Sequence, residues 1–126
     1  MKWLLLTAAA LLLILFATAG VWLYLTDSAE QVCRELTALE EALEDEEWDR
    51  AEQAFDRARA AWEQARPRWA VLIDHGEMED VEIGFVDLAG AVRRRERDEA
   101  LKEGAELIFF LRRAPEAERP GWENVL

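Results

Sequence analysis

Residues 48–72 read WDRAEQAFDRARAAWEQARPRWAVL, and the spacing of their large side chains decides the fold class. Aromatic residues recur every seven positions, with small or aliphatic residues between them. The aromatic stripe consists of Trp48, Phe55, Trp62 and Trp69, and the intervening positions hold Ala51, Ala58, Ala65 and Leu72. A seven-residue repeat places all of them on one face of an α-helix. Rings that alternate with alanines let a neighbouring helix approach closely, so the stretch predicts a helix packed within a bundle.

The aromatic stripe has two interpretations. Core packing is favoured, because burying rings of about 150–250 Å2 each, at about 25 cal/mol per Å2, would supply much of the stability of a small bundle. The alternative is an exposed stripe or groove that receives a partner helix.

Pro67 lies within the same helix. A proline there removes a hydrogen bond and clashes with the preceding turn, so we expect a kink or a break near Arg66. The stripe keeps its phase as far as Trp69 and Leu72, which favours the kink.

Helical patterns flank this stretch on both sides. Apolar residues spaced by three and four recur in three segments: Ala29, Val32, Leu36, Leu39 and Leu43; then Met78, Val81, Phe85, Leu88 and Val92; then Leu101, Ala105, Ile108 and Leu111. Asp45, Asp74 and Asp98 are the predicted N-caps of the second, third and fourth helices. No alternating β-branched run is present, and Pro120-Gly121 predicts a turn near the end of the chain.

The start of the first of these helices has two interpretations. Ser28 with Gln31 forms a capping-box pattern, which predicts a helix that begins near Ser28. Leu25 has the same phase as the apolar residues that follow. The alternative is therefore a helix that continues without a break out of the residues before it.

Those preceding residues form an apolar run from Trp3 to Leu25 that contains no charged residue. About 20 apolar residues cross a hydrocarbon core about 30 Å thick, so the run is long enough to span a membrane. Trp3 and Trp22 are about 28 Å apart along a helix, which suits two interfacial aromatic belts. The sequence therefore predicts an all-α chain, with one N-terminal transmembrane helix followed by a small antiparallel bundle of three to four helices.

Flanking charge predicts the orientation of the chain. Lys2 precedes the apolar run, whereas Asp27 follows it and Arg34 is the first basic residue beyond. The positive-inside rule puts the short N-terminus in the cytoplasm. We therefore divide the chain into a transmembrane anchor over residues 1–26 and an extracytoplasmic helical domain over residues 27–126.

A cleaved signal peptide is the alternative to an anchor. Ala17-Thr18-Ala19 has the small-x-small form of a cleavage site. The apolar run continues beyond it to Leu25, so cleavage would leave an apolar end on the mature protein. An anchor is favoured for that reason.

The chain carries 15 basic and 27 acidic residues, a net charge of −12 at pH 7. Such a charge repels nucleic acid and anionic lipid head groups, so we expect no nucleic-acid partner. The single cysteine, Cys33, excludes an internal disulfide. A small residue beside a helix seam is the favoured interpretation of Cys33, and an intermolecular bridge near the membrane is the alternative.

One cluster of side chains could carry chemistry, and it consists of Asp74, His75, Glu77 and Glu79. The only histidine, His75, shares a helix face with Glu79 at a spacing that metal ligands use. A cap and turn between two helices is favoured, because one histidine with carboxylates is a poor ligand set for zinc. Ser28 and Cys33 are far from the histidine in sequence and no glycine-rich phosphate loop is present, so we predict no enzyme, no catalytic residue and no cofactor.

The order of these features resembles a bacterial family known only as domain of unknown function 4363. The resemblance is carried by Glu47-Trp48-Asp49-Arg50-Ala51, by Trp62 and Trp69, by Asp74-His75-Gly76-Glu77, and by the C-terminal Glu123-Asn124-Val125-Leu126. It covers the whole chain. It implies a membrane-anchored protein in which a short N-terminal transmembrane helix precedes further helices, and it supplies no activity and no catalytic residues.

These patterns together predict a membrane-anchored helical interaction or structural accessory protein of the bacterial cell envelope. Its expected partners are the membrane, through residues 3–25, and another membrane or envelope protein, and a homo-oligomer is a further prediction. The alternative is an extracytoplasmic domain that senses a ligand or binds a metal through Asp74, His75 and Glu77.

Overall fold

A computed structural model describes residues 1–117, which form four α-helices and contain no strand. The helices are α1 (Lys2–Glu44), α2 (Trp48–Leu72), α3 (His75–Arg93) and α4 (Arg97–Ala117). The all-α prediction is therefore confirmed. The predicted Pro120-Gly121 turn and the C-terminal motif Glu123-Asn124-Val125-Leu126 lie outside the described residues.

The second half of α1 and the three later helices form an antiparallel four-helix bundle. Each helix packs on two others: α1 and α3 each contact α2 and α4, whereas the Cα atoms of the diagonal pairs stay more than 8 Å apart within residues 1–117. Connections of two or three residues make sequential helices antiparallel neighbours. The end of the bundle that adjoins the apolar run is called the near end below, and the opposite end is called the far end.

α1 is one unbroken helix, so no helix begins at Ser28. The side chain of Ser28 does not cap a helix; its hydroxyl donates to the backbone oxygen of Tyr24, one turn back, at 2.8 Å. Residues 1–20 are exposed, and burial begins in the turn that holds Val21 and is complete at Leu25, which is 0% exposed. The boundary between residues 26 and 27 therefore lies inside a helix.

α2 continues through Pro67 to Leu72 as one helix, so of the two alternatives at Arg66 the break is wrong. Pro67 lies on the exposed side of the helix. Proline has no N–H to donate to the carbonyl one turn back, and water can bond to that carbonyl instead. Trp69, two residues further on, is 0% exposed and ties the end of the helix into the core.

Two of the three predicted caps are wrong, and both errors lie at the far end. Asp45 is the C-cap of α1 and not the N-cap of α2, and Asp98 lies in the first turn of α4. Both turns are closed by a residue in the left-handed region, Glu46 at φ 53° and Arg95 at φ 54°. The N–H groups after each helix bond back to its last carbonyls, as in a helix ending with glycine.

The apolar stripes of α1 and α3 point into the core as predicted, but α4 is rotated from its predicted phase. Ala105 is exposed, and Leu101 and Ile108 are only half-buried. The inward face of α4 consists of Ala100, Glu103, Gly104, Leu107, Leu111 and Ala114. Small residues therefore make much of this contact, which lets α4 approach α3 closely.

Candidate functional site

The aromatic stripe lies inside the bundle. Trp62 and Trp69 are 1% and 0% exposed, Phe55 is buried, and Trp48 is half-buried at the far end. The ring of Trp62 meets Trp69 edge to face at 5.2 Å between centroids and stacks against Phe85 at 6.2 Å. Such pairs stabilise a core by about 0.5–1.5 kcal/mol beyond their buried area. The contacts match the core interpretation of the stripe.

Each buried indole N–H has an acceptor on a neighbouring helix. Trp69 Nε1 donates to Ser28 Oγ on α1 at 2.8 Å. Trp62 Nε1 donates to Glu82 Oε1 on α3 at 3.0 Å, and the same oxygen pairs with Arg66 Nε at 2.9 Å. These bonds fix the register of α2 against α1 and α3, because a buried indole N–H without an acceptor is costly.

Sequence reasoning missed the two acceptors, Ser28 and Glu82. Glu82 is separated from the buried Met78 and Phe85 by one turn of α3, so it lies beside the stripe that the sequence identified. A polar residue beside the apolar stripe of one helix is a usable signal for a bond to a buried tryptophan on the neighbouring helix. The pairing itself depends on which helices become neighbours.

The predicted chemical cluster is the start of α3. Asp74 is its N-cap, and Asp74 Oδ2 accepts from the backbone N of Gly76 at 3.3 Å. Glu77 lies in the first turn, where a carboxylate suits the helix dipole. His75 and Glu79 are exposed and line a groove of about 320 Å3 between α2 and α3. No three His, Cys, Asp or Glu side chains within residues 1–117 are placed to hold a metal ion.

Cys33 lies in the core, 1% exposed, in the position of a small residue beside the seam of α1. Burial raises the pKa of its thiol to about 11, although the nearby Arg112 opposes the shift. A thiolate is the reactive form of cysteine, so this side chain is poorly suited to attack a substrate or to form a bridge between chains.

Two arginines hold the near end of α4 against both neighbours. Arg112 Nε pairs with Glu30 Oε1 on α1 at 3.1 Å, and this bond keeps the pKa of Arg112 above its ordinary value. Arg113 pairs with Asp80 on α3 at 2.9 Å. α4 continues beyond them through Pro115 to Ala117. Exposed pairs of this kind contribute little individually, so their main effect is to fix the register.

The near end also presents apolar side chains to the outside. Val71, in the last turn of α2, is 84% exposed. It lines an open apolar recess with Tyr24, Pro67, Arg68 and Leu72. The guanidinium carbon of Arg68 lies 5.8 Å from the centre of the Tyr24 ring.

The first half of α1 is apolar and is not covered by the rest of the chain. Its most apolar stretch of 18 residues has a mean hydropathy of 2.5, and none of this stretch is buried against the rest of the described chain. By length and composition, α1 is long and apolar enough to cross a membrane.

Comparison with known proteins identifies one family. The model of a domain of unknown function (DUF4363) matches residues 20–125, which is most of the chain. The match begins at the position in α1 where burial against the bundle starts. No curated protein and no solved structure matches the chain significantly.

Proposed function

The chain belongs to the family of domain of unknown function 4363, and we propose that it is a single-pass membrane protein that acts as a helical interaction or structural accessory protein of the bacterial cell envelope. In this proposal the apolar run from Trp3 to Leu25 crosses the membrane, with the N-terminus in the cytoplasm. The bundle lies on the outer side, where it contacts another membrane or envelope protein or a second copy of the chain.

The observation that carries the proposal is the continuity of α1. The helix runs from Lys2 to Glu44 without interruption. Its first half is apolar and exposed, whereas its second half contributes buried residues to the bundle, from Leu25 to Leu43. A helix with one half built for lipid and one half built for a protein core would hold the bundle at a fixed height and orientation on the membrane.

The charge around the apolar run supports the orientation. Lys2 stands before it, and the first charged residues after it, Asp27 and Glu30, are acidic. Cytoplasmic flanks carry an excess of basic residues, so the bundle belongs on the opposite side.

A role in binding, and not in catalysis, is supported by what the reactive residues do. Ser28 is bonded within the core, Cys33 is buried with a raised pKa, and His75 stands exposed at a helix start. The outer face of α3 instead presents two apolar side chains, Ile83 and Val86, which are 54% and 64% exposed. Exposed apolar residues on one helix face are suited to contact with a partner.

Orientation is tested with an impermeant maleimide on intact bacteria that express the full-length chain. A Cys33→Ala background removes the native thiol, and Glu46→Cys at the far end supplies an exposed one. A cysteine inserted between Met1 and Lys2 is the control on the other side of the apolar run, because it leaves the charge of Lys2 in place. The proposal expects labelling of Glu46→Cys in intact cells and of the inserted cysteine only after lysis. The reverse pattern would show that the orientation is wrong.

Anchoring and cleavage are separated by mass. The anchor predicts that protein purified from membranes keeps residues 1–19, whereas a cleaved signal peptide predicts a chain that begins after Ala19.

The partner is tested with a photo-reactive amino acid at position 83, in native membranes and at native expression level. A covalent adduct with a second chain is expected, and recovery of monomer alone would contradict an interaction role.

A further inference from the structure

We infer that the end of α2 rests in the head-group layer of the membrane and forms a second lipid contact, separate from the anchor. This contact surface, the α2 tip, consists of Pro67, Arg68, Val71 and Leu72. The inference rests on the proposed function, because it requires α1 to cross the bilayer. It adds a surface on the bundle itself to the lipid-binding part of the chain.

The height of the α2 tip follows from its register against α1. Arg57 Nε pairs with Glu35 Oε2 on α1 at 2.8 Å, and Arg68 lies over the ring of Tyr24. The two helices are antiparallel, and Val71 lies three residues beyond Arg68. At a rise of about 1.5 Å per residue, Val71 is about 4.5 Å closer to the membrane than Arg68. That places it level with about residue 21 of α1, inside the apolar run.

The continuity of α1 prevents the tip from moving away from this height. No residue between the apolar run and the bundle leaves the helical conformation. A bundle on a flexible linker could stand clear of the lipid surface. Here, a membrane-spanning segment that extends to Leu25 places the last turn of α2 at the membrane surface, because α1 is continuous.

The side chains of the α2 tip are those of an interfacial surface. Val71 is 84% exposed and has Leu72 and Tyr24 beside it in the apolar recess. Aromatic residues are enriched where lipid meets water, and long basic side chains bury their stems there while the charged group reaches the head groups. Within residues 1–117 Arg68 forms no ion pair, and its guanidinium lies over the Tyr24 ring. Its guanidinium is therefore available to a lipid phosphate.

The expected surface is zwitterionic and not anionic. The chain has a net charge of −12, and Asp74 lies at the same end of the bundle as the tip. An anionic membrane would repel the domain as a whole. Apolar insertion of Val71, with one arginine at the phosphates, needs no negative surface charge.

The test measures the depth of a fluorescent label in the full-length chain. In the Cys33→Ala background, an environment-sensitive NBD label is attached to Val71→Cys, and the protein is reconstituted into phosphatidylcholine vesicles. Lipids with a doxyl quencher near the head group are then added. Val86→Cys is the matched control, because Val86 is also an exposed valine on a helix, 64% exposed, but lies further from the near end. Leu12→Cys, in the middle of the apolar run, reports on the anchor. Circular dichroism checks that each labelled variant keeps its helices.

The inference predicts blue-shifted emission from the Val71→Cys label and quenching several-fold stronger than for Val86→Cys. If the Leu12→Cys label is in lipid while the labels at positions 71 and 86 are equally unquenched, the inference is wrong and the anchor stands. If the Leu12→Cys label is also in water, the proposed anchor fails. A blue shift at position 71 that disappears when the protein is diluted in lipid would mean that a second copy covers the tip, which also overturns the inference.

Discussion

Replacing Ser28 by alanine should destabilise the bundle, because it leaves the buried indole of Trp69 without an acceptor. Ser28 is 8% exposed, and its hydroxyl oxygen receives the Trp69 N–H at 2.8 Å. The hydroxyl also donates to the backbone oxygen of Tyr24. That carbonyl already accepts a helical N–H, so losing the second bond costs little.

The expected loss is about 1–2 kcal/mol in the free energy of unfolding. A buried donor without a partner costs about 1–3 kcal/mol, and the better helix propensity of alanine returns about 0.5 kcal/mol. For a domain of this size, the melting temperature should fall by about 5–10 °C. The measurement is thermal unfolding of the full-length chain in detergent micelles, followed by circular dichroism at 222 nm.

Thr37→Ala is the matched control in the same helix. Thr37 also donates to the carbonyl one turn back, that of Cys33 at 2.9 Å, but among residues 1–117 it receives no bond from another helix. Its replacement should change the melting temperature little or raise it slightly, because alanine is the better helix former.

A double-mutant cycle isolates the bond. Trp69→Phe removes the N–H, so Ser28→Ala in that background should cost almost nothing. The coupling energy between the two positions should be about 1–2 kcal/mol. Additive effects, or equal effects of Ser28→Ala and Thr37→Ala, would refute the reasoning.

Three further predictions concern packing and ionisation. A Cβ at Gly84 would lie 2.9 Å from Leu107 Cδ1, whereas one at Gly104 meets only Leu88 Cδ1 at 4.0 Å. In urea unfolding Gly84→Ala should therefore be less stable than Gly104→Ala by about 1–3 kcal/mol, and equal stability would contradict the close approach of α3 and α4. Burial raises the pKa of Cys33 to about 11, so at pH 8 a thiol reagent should modify it slowly in the folded chain and rapidly in guanidinium. Fast labelling of the folded chain would contradict its burial. Burial also raises the pKa of Glu103 from 4.5, so the folded state binds its proton more tightly than the unfolded state. The stability that protonated Glu103 contributes therefore falls as pH rises above 4.5 through the folded pKa. Because glutamine cannot ionise, Glu103→Gln should raise the melting temperature at pH 7 but not at pH 4.

The periodic part of the fold was predictable from the sequence. The heptad of α2 and the three-four spacing in α1 and α3 identify buried faces, because each helix must cover an apolar stripe. In α4 the same method was right only for Leu111. The buried face there includes two alanines and a glycine, so the larger Leu101 and Ile108 drew the prediction toward the wrong phase.

The ends of helices were less predictable. A serine can cap a helix or bond to the carbonyl one turn back, and local sequence does not decide between the two. At Ser28 the deciding partner is Trp69, which is distant in the chain. The far-end turns place Glu46 and Arg95 in a backbone region that favours glycine, so no glycine marked where α1 and α3 end.

In the candidate site, too, local features were predictable from the sequence and contacts between helices were not. The favoured interpretations of the aromatic stripe, of Asp74 and of Cys33 as structural residues match their positions, because burial and capping are local properties. The acceptors of the two indoles and the exposed Val71 at the near end depend on the register between helices. A single stripe does not contain that information.

The most direct test of the account is the distance between two points on α1, one in the apolar run and one in the bundle. Spin labels at Leu12→Cys and Glu41→Cys, in the Cys33→Ala background and in lipid nanodiscs, report it by pulsed electron resonance. An unbroken helix at 1.5 Å per residue predicts one narrow population near about 44 Å. A broad or clearly shorter distribution would show a break between the apolar run and the bundle, and would contradict the account.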